Sequence, residues 1–150
     1  MSGTHPIRPG ASRAITLRAD SRLDCTELMT RAVRGMVAAA GLPPRDCAHV
    51  ELAVAEAVNN VVRHAYLGEA GHPIELVFTL EEDRFTIEVC DEGIPMPPRP
   101  SPSFDFDPTD IAGLPEGGMG LFLIHSVMDE VEYRSHDGRN ALAMRKRLAA

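Results

Sequence analysis

The hydrophobic pattern of the chain is clearest between His49 and Tyr66. At 100° per residue, one broad face of this stretch is apolar, and it carries Val50, Val54, Ala57, Val58, Val61, Val62 and Ala65. The opposite side carries Glu56, Asn59, Asn60, Arg63 and His64. This pattern predicts a long amphipathic helix, here called the central helix, which Asp46 would cap and Gly68 and Gly71 would end.

Shorter patterns predict a strand and a helix before the central helix. Residues 14–19 alternate as in a strand. Residues 23–40 form a helical pattern, for which Asp20, Ser21 or Asp24 is a suitable cap. The apolar stripe of this first helix is predicted to contain Leu28, Ala32, Val33, Met36 and Val37.

The second half of the chain reads as two hairpins separated by a helix. Strands are predicted at 73–80, 84–90, 130–134 and 140–148, and a helix at 120–129. The order β-α-α-β-β-α-β-β predicts an α+β two-layer sandwich with a mixed, mostly antiparallel sheet.

A proline-rich segment without periodicity, residues 94–118, interrupts these elements. A long irregular segment inside a compact domain is usually a lid or a linker. We expect a lid, because too little chain follows for an independent domain. Residues 1–13 are expected to form a loose tail, and residues 14–150 a single domain.

Composition limits the classes of function. The chain has 150 residues and a net charge of −7, which argues against general binding to nucleic acid or an anionic membrane but allows a nucleotide ligand. Cys25, Cys47 and Cys90 show neither metal-ligand nor disulfide spacing, which fits a reducing cytoplasm. No stretch resembles a signal peptide or a membrane span.

Three short motifs carry candidate chemistry. Glu56 and Asn60 are i and i+4, so together they can hold a metal ion or a water; the alternative is a solvated stripe. Asp91-Glu92-Gly93 follows a strand, where the acid can accept an amino group such as that of adenine or form an Asx turn. Residues 117–120 are glycine-rich before an apolar helix, which favours phosphate binding or a flexible hinge.

The order of these motifs resembles the nucleotide-binding fold of the GHKL superfamily, also called the Bergerat fold. The stretches AEAVNNVVRHAY, VCDEGIP and GGMGLFLIHSVMDEVEY are similar to the anti-sigma factor serine kinases of bacterial partner-switching systems. The resemblance covers about residues 14–148, nearly the whole chain.

The resemblance implies a role for each motif. Glu56 would be the general base acting on a serine hydroxyl, and Asn60 would ligate a Mg²⁺ ion that bridges the phosphates of ATP. Asp91 would accept the adenine amino group, with Gly93 allowing the base to approach. Backbone N–H groups would bind the phosphates at Gly118, Met119, Gly120 and Leu121. Relatives in other branches place a lid lysine on the γ-phosphate, and here Arg63 or His64 would serve instead.

The resemblance also implies partners. The expected activity is ATP-dependent phosphorylation of a serine in a STAS-domain anti-anti-sigma factor, with sequestration of a sigma factor or another regulator and a homodimeric state. Pro95 replaces the second glycine of the usual D-x-G-x-G box, which would stiffen the start of the lid. An alternative is a nucleotide-binding module that sequesters a partner with little or no kinase activity.

Overall fold

A computed structural model describes residues 13–97 and 118–148 of the chain. Its elements are β1 (Arg13–Asp20), α1 (Leu23–Ala39), α2 (Pro44–Asn60), a π-helical turn (Val61–Ala65), β2 (Pro73–Leu80), β3 (Arg84–Asp91), α3 (Gly118–Val127), β4 (Glu130–His136) and β5 (Arg139–Arg147). The predicted tail (1–12) and most of the predicted lid (98–117) lie outside the described residues. Arg13, which was assigned to the tail, is the first residue of β1.

The five strands form one sheet in the order β1-β2-β3-β5-β4, and every pairing among them is antiparallel. Two tight connections are visible in the sequence. Residues 81–83 join β2 to β3, and Asp137-Gly138 joins β4 to β5 with φ angles of 50° and 77°. Positive φ at both central residues matches the right-handed twist of a hairpin, which explains the Asp-Gly pair.

The helices cover one face of this sheet. Alternate side chains of β2 and β3 are fully or almost fully buried against them, namely Ile74, Leu76, Phe78, Phe85, Ile87 and Val89. The central helix contributes the predicted Val50, Val54, Ala57, Val58 and Val61, and α3 contributes Ile124. The predicted two-layer α+β sandwich is therefore confirmed, but the described sheet is wholly antiparallel and not mixed as predicted. Within the described ranges, no helix combines the length and the apolar character needed to cross a bilayer.

The predicted apolar stripe of α1 was partly wrong. Leu28 is 69% exposed and Ala32 is also exposed, whereas Met29 and Val33 are buried. The buried face is completed by Thr26 and Thr30, whose hydroxyls donate to the carbonyls of Leu23 and Glu27. Because these threonines satisfy their hydroxyls within the helix, they pack as apolar residues do, which a hydrophobicity pattern cannot register.

The predicted helix caps were also wrong. Arg22 precedes α1 without a side-chain cap, and Ser21 instead donates to the carbonyl of Glu69 at 2.7 Å. The central helix begins at Pro44, so Asp46, the predicted cap, lies inside its first turn. A proline at the first helical position removes only a backbone N–H that would have no partner within the helix, so Pro44 is a favourable first residue.

Candidate nucleotide site

A pocket opens between the end of α2, the π-helical turn and the end of β3. The space between these elements is about 380 Å³, which includes open solvent, and only about 30 Å³ of it is accessible to the centres of water molecules. The described residues that line it are Ala57, Asn60, Val61, His64, Ala65, Val89, Asp91, Ile94, Met96, Tyr133 and Leu142. It therefore combines a mostly apolar wall with a carboxylate, a carboxamide and an imidazole, which is the composition typical of a small-molecule site.

Asp91 is the anionic group of this pocket. Its side chain points to the helix face of the sheet and the residue is 7% exposed. Its Oδ1 accepts the Gly93 backbone N–H at 2.9 Å, so the motif does form an Asx turn. The carboxylate lines the pocket at the same time. Asp91 can therefore form the Asx turn and face a ligand at the same time.

Asn140 holds Asp91 from the neighbouring strand. The two residues are opposite each other in the β3–β5 register, and Asn140 Nδ2 donates to Asp91 Oδ1 at 2.8 Å and to the carbonyl of Gly93 at 3.0 Å. Its own Oδ1 accepts the hydroxyl of Ser135 at 2.7 Å. Asn140 is 1% exposed, and these bonds satisfy an amide that would otherwise be costly to bury.

Two tyrosine hydroxyls lie beside the segment that follows Asp91. Burial raises the pKa of Tyr66, and the Asp91 charge raises it further, against the opposing effect of the Glu92 N–H bond. Burial likewise raises the pKa of Tyr133, and the hydrogen bond from the Met96 N–H offsets only part of this rise. Both hydroxyls therefore stay neutral at physiological pH, and each remains a stable hydrogen-bond partner.

The polar face of α2 also lies against the start of α3. A Cβ atom added to Gly120 would lie 2.9 Å from Oε2 of Glu56 and 3.8 Å from Oδ1 of Asn60. Glu56 and Asn60 thus lie on one face of α2 and look toward the same glycine. Asn60 also lines the pocket, so it connects the Asp91 region to the Glu56 region.

The described part of the glycine-rich stretch, residues 118–120, forms the first turn of α3 and does not precede it. Gly118, Met119 and Gly120 are the first three residues of this helix, which was predicted to begin at Gly120. The first four N–H groups of a helix have no partner within it and carry the positive end of the helix dipole. Those of residues 118–121 therefore suit an anion such as a phosphate.

The remaining predicted residues are placed differently. His64 is exposed and lines the pocket, whereas Arg63 is exposed and is not among the lining residues described above. Gly93 is also absent from that lining. A Cβ atom on Gly93 would collide with the backbone of Ala65, at 2.7 Å from its carbonyl carbon. The structure therefore gives this glycine a packing requirement, in addition to any approach of a ligand.

Sequence reasoning missed Asn140, Tyr66 and Tyr133. Asn140 was predicted only as the first residue of the last strand. Its alternation with Leu142 and Met144 does reveal a polar residue on the buried face of β5. Nothing in the local pattern marks the tyrosines, because their hydroxyls bond to a backbone segment that is distant in sequence.

A divalent ion could take an oxygen ligand from the end of α2. Within the described ranges, no group of three or more histidine, cysteine, aspartate or glutamate side chains is arranged to hold a metal. Asn60 supplies an amide oxygen, and Mg²⁺ commonly takes one or two protein ligands with the rest from water and phosphate oxygens. The residues present therefore fit a metal ion that arrives with a nucleotide.

These features define a nucleotide-binding domain of the GHKL type, with an acid after a strand, an amide on a helix and a glycine-rich helix start. The chain belongs to the histidine kinase-like ATPase domain family, whose model matches residues 19–146. The resemblance seen in the sequence is thereby confirmed.

Two relatives indicate which branch of this family the chain is similar to. The chain is 31% identical over 139 residues to the serine-protein kinase RsbW of Bacillus cereus, covering 85% of this chain and 81% of that protein. It has the same identity and coverage with the serine-protein kinase RsbW of Bacillus thuringiensis subsp. konkukian. The relatives are thus protein kinases of the predicted branch.

Solved structures agree on the fold. The structure of the RsbU and RsbW domains of Rv1364c from Mycobacterium tuberculosis matches with a TM-score of 0.64 at 17% identity, over 91% of this chain and 32% of that one. The structure of the SiaB–SiaC complex from Pseudomonas aeruginosa matches with a TM-score of 0.57 at 15% identity, over 89% of each chain.

Proposed function

We propose that this chain is an ATP-dependent serine/threonine protein kinase of a cytoplasmic partner-switching system. The observation that carries the proposal is the position of Asn60. It lines the pocket that contains Asp91, and it faces Gly120 together with Glu56. A nucleotide whose base lies near Asp91 would then extend its phosphates toward Asn60, Glu56 and the first turn of α3.

In this proposal Asp91 accepts the amino group of adenine, and Asn140 keeps its carboxylate oriented. The N–H groups of Gly118, Met119, Gly120 and Leu121 would bind phosphate oxygens. Asn60 would hold Mg²⁺, which neutralises phosphate charge when bound. His64, at the pocket, is the better placed of the two basic residues considered for the γ-phosphate.

Phosphoryl transfer depends mainly on positioning and charge neutralisation. The bond between the γ-phosphorus and the oxygen bridging to the β-phosphate breaks, and a bond from the serine Oγ to the γ-phosphorus forms. Glu56 takes the serine proton, which passes to solvent, and the products are ADP and phosphoserine. Glu56 is half-buried, so it remains accessible to a second protein.

The substrate we propose is a STAS-domain anti-anti-sigma factor, as the kinship with the RsbW kinases implies. The match to the SiaB–SiaC complex is a precedent for this fold binding a second protein. Capture of a sigma factor or another regulator, and a homodimeric state, rest on the same kinship.

The direct test is transfer of label from γ-labelled ATP to a STAS-domain protein of the same cell. Wild-type protein should phosphorylate one serine. Glu56→Gln should lower the transfer rate by at least about a hundredfold, because a general base contributes that much, while nucleotide affinity stays the same. Glu51→Gln is the matched control, since Glu51 is on the same helix and, among the residues described, its ion pair is with Arg34 at the surface.

Two outcomes would contradict the proposal. Unchanged transfer in Glu56→Gln would remove Glu56 from the reaction. A stable complex with the STAS-domain protein and nucleotide, but no transfer, would support the alternative of a sequestering module.

A further inference from the structure

The segment that follows β3, residues 92–96, is bound by both tyrosines of the chain. Its Glu92 N–H donates to the hydroxyl oxygen of Tyr66 at 2.8 Å, and its Met96 N–H donates to that of Tyr133 at 2.8 Å. The two hydroxyls therefore hold the two ends of one short segment.

The remaining backbone donors of the segment are bound as well. The Gly93 N–H donates to Asp91 Oδ1, and the Ile94 N–H donates to the carbonyl of Ala65 at 2.9 Å. Pro95 has no N–H. Every backbone donor from residue 92 to residue 96 thus has a partner, which is unusual for an irregular connection and indicates a fixed conformation.

Each tyrosine is itself anchored to the sheet. Tyr66 is buried and donates its hydroxyl proton to the carbonyl of Pro73 at 2.6 Å, at the start of β2. Tyr133 belongs to β4, at the opposite edge of the sheet, and is partly buried against the core. The segment is therefore connected through two hydroxyls to two different parts of the rigid scaffold.

The segment forms part of the wall of the nucleotide pocket. Ile94 and Met96 line it, and so does the ring of Tyr133. A wall that is ordered before the ligand binds spares binding the entropic cost of ordering it. Freeing either end of the segment would raise that cost.

We propose that Tyr66 and Tyr133 are positioning residues, whose hydroxyls hold the 92–96 segment in the shape that binds the base of the nucleotide. This inference rests on the proposed function for the identity of the ligand. Its structural half, that the two hydroxyls fix the 92–96 segment, does not depend on that function. In the proposed function Asp91 binds the base and residues 118–121 bind the phosphates, and the tyrosine pair adds a separate determinant of affinity.

The test uses Tyr133→Phe and Tyr66→Phe in the full chain, with Thr30→Val as the control. Thr30 also loses a buried hydroxyl bond in that control, but its bond is inside α1, to the carbonyl of Glu27. Amide hydrogen exchange is followed residue by residue by NMR, and ADP affinity by calorimetry. Tyr133→Phe is the cleaner variant, because Tyr66→Phe also leaves the Pro73 carbonyl without its donor.

We expect Tyr133→Phe to accelerate exchange of the Met96 amide, and Tyr66→Phe that of the Glu92 amide. Each should weaken ADP binding about tenfold, the scale of one hydrogen bond. Thr30→Val should change neither quantity, even if it lowers stability. A role in general stability alone would not separate the two tyrosines from Thr30 in this way.

Unchanged ADP affinity in both tyrosine variants, with faster amide exchange, would overturn the proposal. Unchanged exchange of both amides would overturn it too, whatever the affinity. If the wild-type protein binds no adenine nucleotide at all, the proposed function fails; faster exchange in the variants would then still support the structural half of this inference.

Discussion

At the scale of single residues, the site depends on two close approaches. Asp91 is buried, but its Oδ1 receives two donors, the Gly93 N–H and the Asn140 amide, so the carboxylate is stabilised where it lies. Gly93 must lack a side chain because the carbonyl of Ala65 lies directly against it. The fold itself therefore requires the glycine of the D-x-G motif and holds the acid in place, before any ligand binds.

We predict that Gly93→Ala destabilises the protein by about 1–3 kcal/mol, the usual cost of overpacking, because the new Cβ would displace the backbone at Ala65. Gly35→Ala is the control. Gly35 is in α1, where an added Cβ meets nothing within 4 Å, and the change should stabilise by about 0.5–1 kcal/mol.

Urea unfolding of both variants measures these two shifts. Equal and small effects would mean that the turn after β3 can move away from the π-helical turn without cost. Loss of stability in both variants would mean that α1 does not tolerate a side chain at Gly35.

At the scale of elements, hydrophobic periodicity identified most of the architecture. The strands of both hairpins appear within one or two residues of their predicted bounds, because one sheet face is buried and alternation is then enforced. The failures came where polar residues took apolar places or the backbone left regular geometry. Thr26 and Thr30 shifted the apparent face of α1, and the π-helical turn after Asn60 has no signature in the sequence.

The corrected face of α1 is testable. Met29→Ala, on the observed face only, should cost about 2 kcal/mol or more, because Met29 is buried and truncation leaves a cavity. Leu28→Ala should change stability by less than about 0.5 kcal/mol, because Leu28 is 69% exposed. Chemical denaturation of the two variants distinguishes the faces, and a larger effect of Leu28→Ala would restore the stripe predicted from the sequence.

At the scale of the whole molecule, the pocket is assembled from parts that are far apart in sequence. Asn60 ends α2, Asp91 ends β3, and Gly120 lies in the first turn of α3, beyond the segment 98–117. Order along the chain suggested this site, since the three motifs occur in the order typical of the superfamily. It did not reveal Asn140 or the tyrosines, because their contacts depend on strand register and on loop geometry.

The same arrangement suggests different roles for Glu56 and Asn60, which lie one turn apart on α2. Asn60 is the only one of the pair that lines the described pocket, while both face Gly120. A metal that bridges phosphates should therefore depend on Asn60, and proton transfer on Glu56.

The most direct measurement is calorimetric titration of ATP, with and without Mg²⁺, into wild-type protein, Asn60→Ala and Glu56→Gln, with Asn59→Ala as the matched amide control. We predict that Mg²⁺ strengthens ATP binding by wild type, Glu56→Gln and Asn59→Ala, and that Asn60→Ala loses this gain. Equal loss in Asn60→Ala and Glu56→Gln, or no ATP binding by the wild-type protein, would contradict the account.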